Sequence, residues 1–137
     1  AVELVRGLDP TRPIDAVSGW YDQRCGDFLS VHNYFRPLEV YPDAARPPRA
    51  FVISEFGGLS HHVDGHSSLE TSYGYGSSSD LASFRGAVRA TLARADALEG
   101  EGLAGYVYTQ LSDVEEETNG ILTYDRRVNK LAEGGAS

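Results

Sequence analysis

Residues 50–58, AFVISEFGG, constrain this chain more than any other segment. Phe51, Val52 and Ile53 run without a charge, which suits a strand buried on both faces, as the strands of parallel sheets are. The run ends on a carboxylate, Glu55, and Gly57 and Gly58 then leave the backbone free to turn sharply. In barrels of alternating strands and helices, the C-terminal ends of the strands carry the active site, and a carboxylate placed there points into a cleft. A strand end is also an ordinary place for one solvated or ion-paired charge. Position alone does not choose between the two readings.

The rest of the chain supplies partners for such a strand. Val2, Leu4, Val5 and Leu8 read as the tail of an amphipathic helix over 2–8, stopped by Asp9-Pro10. Residues 14–18 (IDAVS) form a short strand candidate, and 19–26 read as loop. Residues 28–34 (FLSVHNY) predict a buried strand, and a proline-rich loop leads from it to the strand at 50–55. The stretch 59–79 is polar and rich in Ser, Gly, His and Tyr, a long loop of the kind that is functional or disordered in compact domains. Ser79 or Asp80 can then cap a helix along which Leu81, Phe84, Val88, Leu92, Ala95 and Leu98 recur at helical spacing. Gly100 and Gly102 end it, and 103–111 (LAGYVYTQL) predict a further strand. The order helix, β, β, β, α, β points to parallel pairing in an α/β fold.

The predicted strand ends present Ser18 and Trp20, then His32, Asn33 and Tyr34, then Glu55, then Tyr108, Gln110 and Asp113. His32 and Tyr34 lie two apart and share one face of their strand. Trp20, Tyr73 and Tyr75 could stack on the apolar faces of sugars, or simply pack. His61, His62, Asp64 and His66 offer four possible metal ligands within six residues, but no distal ligand pair accompanies them, so a metal site is not expected. Glu115, Glu116 and Glu117 read as a solvated loop.

The net charge of −8 argues against nucleic acid or an anionic membrane as the main partner, since both call for clustered Lys and Arg. The single cysteine, Cys25, has no internal disulfide partner. No signal peptide is visible, so a cytoplasmic location is slightly favoured while the compartment stays open. The opening AVELVRGLDP, without Met, reads as part of something longer.

In combination, DPTRPID, FLSVHNY, FVISEFGG, the GYG loop and GYVYTQLSDVEEETNGILTYDR resemble the catalytic barrel of glycoside hydrolase family 2, over about residues 3 to 130. That family includes β-galactosidases, β-glucuronidases and β-mannosidases. The resemblance implies an α/β fold that is the second half, about strands 5–8, of a (β/α)8 TIM barrel. It spans residues 1–130, with 131–137 as a C-terminal tail. It implies a retaining hydrolase of β-linked glycosides with no cofactor, in which Glu55 is the nucleophile and Tyr34 hydrogen-bonds it. His32, Asn33, Trp20, Gln110 and Tyr108 become candidate carbohydrate-binding residues. Gln110 stands near a position where larger β-galactosidases carry an aromatic residue, which leaves the sugar preference open.

The family's general acid/base is a Glu following an Asn on strand 4, and no Asn-Glu pair occurs in these residues. Retaining cleavage needs two carboxyl groups about 5–5.5 Å apart. The chain by itself is therefore expected to be inactive, with its open sheet edges covered by the remainder of a larger chain or by a second copy. A non-catalytic carbohydrate-binding or assembly module derived from such a barrel is the alternative.

Overall fold

The computed structural model describes residues 1–16 and 19–133. Its elements run α1 (Val2–Leu8), β1 (Phe28–Asn33), β2 (Ala50–Gly57), β3 (Leu59–Ser60), β4 (Gly76–Ser77), α2 (Leu81–Ala97), a 3-10 turn (Leu98–Glu101) and β5 (Leu103–Thr109). The sheet β1-β2-β5 is parallel and three-stranded, so the fold is mixed α/β; no closed barrel forms among the described residues. No described helix is long and apolar enough to cross a membrane. The chain divides into two compact units, one of Ala1–Phe56 with Ala95–Val107 and the other of Gly57–Arg94 with Tyr108–Ser137.

In the first unit, Leu29, Phe51, Ile53, Phe56, Ala95, Leu98 and Leu103 are buried, with Leu38 from the β1–β2 connection. That connection carries no helix. Asp43 holds it by accepting hydrogen bonds from the backbone N–H groups of Ala45 and Arg49 and from the Arg49 guanidinium. Arg49 also forks onto both oxygens of Asp22, at 2.9 and 2.8 Å. These bonds hold the Asp43 carboxyl well below the usual carboxylate range. Helix α1 buries none of its residues, and the Arg6 guanidinium, 2.7 Å from Asp27, ties it to the unit.

In the second unit, Asp80 caps α2 by accepting the Ser83 N–H at 2.8 Å. Phe84 and Val88 lie on its buried stripe, while Leu81 and Leu92 are half-buried. The fully buried Lys130 side chain donates to Asp113, to the carbonyl of His61 and to the carbonyl of Thr118, at 2.8, 2.9 and 2.9 Å. The Phe84 ring faces the same ammonium at 5.6 Å. Arg85 closes the arrangement by donating to the Lys130 carbonyl.

Three expectations are corrected. Residues 14–16 form no strand, and 17–18, with Ser18, lie outside the described residues. The N–H of Ile14 goes to the Asp27 carboxylate and its carbonyl accepts the Asp27 N–H, so this backbone closes a loop instead of joining a ladder. The loop 59–79 is tied at its ends by the parallel pair β3–β4, Leu59 opposite Gly76 and Ser60 opposite Ser77. Strand β5 ends at Thr109, two residues early. Gln110 and Leu111 instead exchange hydrogen bonds with 119–122.

Candidate active site

Glu55 owes its direction to an irregularity in the β1–β2 ladder. Leu29 faces Phe51 and Val31 faces Ile53, but the next step pairs His32 with Glu55 and Asn33 with Phe56. Ser54 is the extra residue of a bulge, which shifts the side-chain phase of β2 by one. The burial pattern follows: Phe51, Ile53 and Phe56 are buried, spaced two and then three apart. With strict alternation Glu55 would share the core face with Phe51 and Ile53. The bulge gives that place to Phe56 and sets Glu55 beside His32 on the other face.

Apart from Val52, which lies opposite Ser30, that face carries polar residues. The Ser30 hydroxyl donates to Asp15 at 2.7 Å and lies 2.7 Å from the Ser54 hydroxyl. The Ser54 hydroxyl also donates to the Val31 carbonyl at 3.4 Å. Further along, the Tyr34 hydroxyl donates to Glu55 Oε2 at 2.8 Å. His32 Nδ1 stands 3.2 Å from the same oxygen, within ion-pair reach but not aligned as a hydrogen bond. The Glu55 side chain is 43% exposed and that of His32 only 11%. Among the described residues, Glu55 Oε1 accepts no hydrogen bond. One carboxylate oxygen is therefore held by a side-chain hydrogen bond and the other is not.

Trp20 packs edge-on against the His32 ring at 5.5 Å and lies 6.3 Å from the ring of Tyr34. Half of Trp20 stays exposed. The preceding residue must be glycine. Gly19 has φ +81°, and a Cβ there would overlap the His32 ring. Its carbonyl accepts the His32 N–H at 2.9 Å. Trp20, His32 and Tyr34 line a cavity of ≈ 280 Å³ together with Phe35, Arg36 and Tyr41.

Of the candidates named from sequence, Trp20, His32, Tyr34 and Glu55 come together. Asn33 also lines that cavity, but its side chain bonds locally. It is buried, donates to the Pro37 carbonyl and accepts the Arg36 N–H, closing the turn after β1. Gln110 and Tyr108 belong to the second unit. Gln110 follows a cis peptide bond and donates to Glu117 at 3.0 Å and to Asn119 at 2.6 Å. The Tyr108 ring occupies the space where a Cβ on Gly57 would be, and burial pushes its phenol up to about 12. Asp113 serves as the buried partner of Lys130.

The histidines of the 59–79 loop have separate partners. His61 contacts the Ser78 carbonyl, His62 lies 3.5 Å from Asp64, and His66 contacts Asp125 at 2.9 Å. Among the described residues no group of three or more His, Cys, Asp or Glu side chains is placed to hold a metal ion.

Gly19, Asp15, Ser30 and Ser54 were not singled out from sequence. A signal for Ser30 existed, since 30, 32 and 34 share a face by simple alternation. The bulge carried no sequence signal. No protein-family model and no curated protein matches this chain.

Proposed function

We propose that this chain is the C-terminal half of a (β/α)8 catalytic barrel of a retaining glycoside hydrolase resembling family 2, acting on β-linked glycosides. Glu55 attacks the anomeric carbon through Oε1, and Tyr34 orients it through Oε2. The observation that carries the reading is the Tyr34–Glu55 hydrogen bond beside His32, with the Trp20 ring packed against His32. A nucleophile of this kind needs one anchored and one free oxygen, with an aromatic surface near enough to hold a sugar ring. Trp20 supplies that surface. The acid/base carboxyl that completes the pair would come from residues other than these.

A glycosyl fluorosugar with a dinitrophenolate leaving group tests the nucleophile without its acid partner, because that group departs unprotonated. The C–O bond to the phenolate breaks, Glu55 Oε1 bonds to the anomeric carbon, and the fluorine slows hydrolysis of the ester. Mass spectrometry should find the added glycosyl on the peptide containing Glu55, and none in Glu55→Gln. No label, or label on another residue, rejects the assignment. Glycan binding without any label would favour the binding-module alternative.

A further inference from the structure

We infer that His32 is a second positioning residue for Glu55, its Nδ1 carrying a proton directed at Oε2. The inference rests on the proposed function only for what Glu55 does, since the pair itself is defined by geometry. A neutral imidazole keeps its single N–H on one nitrogen and a lone pair on the other. If Nδ1 held the lone pair, it would face a carboxylate oxygen 3.2 Å away, with no other partner, on a ring that is nearly buried. Two acceptors at that distance repel, and burial strengthens the repulsion. With the proton on Nδ1 the same contact is attractive and needs only a small rotation of ring or carboxylate to become a hydrogen bond. Such bonds often tighten only when substrate is present.

The surroundings hold the ring for this task. Gly19 leaves room that any Cβ would fill, and its carbonyl fixes the His32 backbone. Trp20 closes over the ring edge-on. The bulge at Ser54 brings Glu55 directly opposite His32 in the ladder. Tyr34 and His32 then both address Oε2, which restrains the carboxylate plane and leaves Oε1 as the reacting atom. A substitution at His32 should therefore act through the direction of Glu55, without requiring a contact to sugar.

The test is long-range proton–nitrogen NMR on the nitrogen-15-labelled chain at neutral pH, with the His32 ring assigned from the signals lost in His32→Gln. The expected result is a protonated-type Nδ1 in the wild type. In Glu55→Leu, which keeps side-chain bulk but removes the acceptor, the proton should leave Nδ1 for Nε2. An unprotonated Nδ1 in the wild type overturns the inference, as does an Nδ1 signal that does not change in Glu55→Leu. If Glu55→Leu fails to fold, the wild-type spectrum still decides, because a lone pair on Nδ1 is incompatible with the proposed contact. A protonated Nδ1 with no fluorosugar label at Glu55 rejects the nucleophile assignment and leaves the positioning pair standing. A labelled Glu55 with an unprotonated Nδ1 does the reverse.

Discussion

The two units of this chain differ in what they bury: the first is mainly apolar, with Ser30 and Asn33 its buried polar residues, and the second is largely polar. The first buries Leu29, Leu38, Phe51, Ile53, Phe56, Ala95, Leu98 and Leu103, an apolar core of the usual kind. The second buries Phe84 and Val88 beside Ser60, Asp113, Thr118, Asn119, Thr123 and Lys130. An apolar core gains by leaving water and is indifferent to direction. A polar core gains only if each group finds its partner, because an unpaired buried charge is costly. Here burial raises the Asp113 carboxyl and lowers the Lys130 ammonium from their ordinary values, while each partner pulls the other back. The first unit can thus keep Glu55 and Tyr34 at a partly open surface over a directionless core. The second depends on a few directed bonds linking α2, the histidine loop and residues 113–120.

The largest expected effect is at Lys130. Lys130→Ala should cost about 3–5 kcal/mol in urea denaturation, because Asp113 is left buried and unpaired. Lys130→Met with Asp113→Leu should recover most of that loss, since it removes both charges together. If Lys130→Ala costs less than about 1 kcal/mol, the contrast between the units fails.

Gly19→Ala comes next. Its φ of +81° and the overlap with His32 predict a loss of about 1–3 kcal/mol, with the His32 ring resonances shifted by NMR. Normal stability and an unmoved ring would remove glycine from the account of the site. In the apolar core, Ile53→Val should cost about 0.5–1.5 kcal/mol without altering the Tyr34–Glu55 pair. A shift of that pair larger than the stability loss would show that core and site are coupled more tightly than this comparison allows.

Tyr108 gives a pH-dependent test within the second unit. Its phenol is pushed up to about 12 by burial, so the folded state favours the neutral form. Stability should be level up to about pH 10, the ordinary tyrosine range, and should fall as pH rises toward about 12. Tyr108→Phe should flatten that fall, and urea midpoints across this range would read it. The smallest stability effect belongs to Tyr34→Phe, whose hydrogen bond lies at a partly exposed carboxylate. We expect a change within about 0.5 kcal/mol, as for surface substitutions. Fluorosugar labelling at Glu55 should nevertheless slow by about tenfold, equivalent to roughly 1.4 kcal/mol in the barrier.

Much of the local architecture was legible in the residues alone. Apolar runs marked β1 and β2, and the 3.6-residue spacing of Phe84, Val88 and Ala95 marked α2, with Asp80 as a cap and Gly102 beyond its end. These signals are short-range, because periodicity and caps act over a few residues. The shared face of His32 and Tyr34 was legible for the same reason. Most of the features that sequence left open depend on partners distant in the chain. Ile14 satisfies its backbone at Asp27, 13 residues away, and so leaves the sheet. Asn33 is an exception, bonding within its own turn three and four residues on. Lys130 carries no local sequence signal, and its partners are His61, 69 residues away, and Asp113, 17 residues away. The direction of Glu55 was decided the same way. Alternation along β2 alone would have turned it into the core, and only the pairing with β1, where Ser54 becomes the extra residue, turns it out beside His32 and Tyr34. Sequence set which residues prefer strand, helix or turn, because those preferences reside in each residue and its near neighbours. Tertiary structure decided register, and with it which side chains meet, because register is a property of two strands and belongs to neither alone.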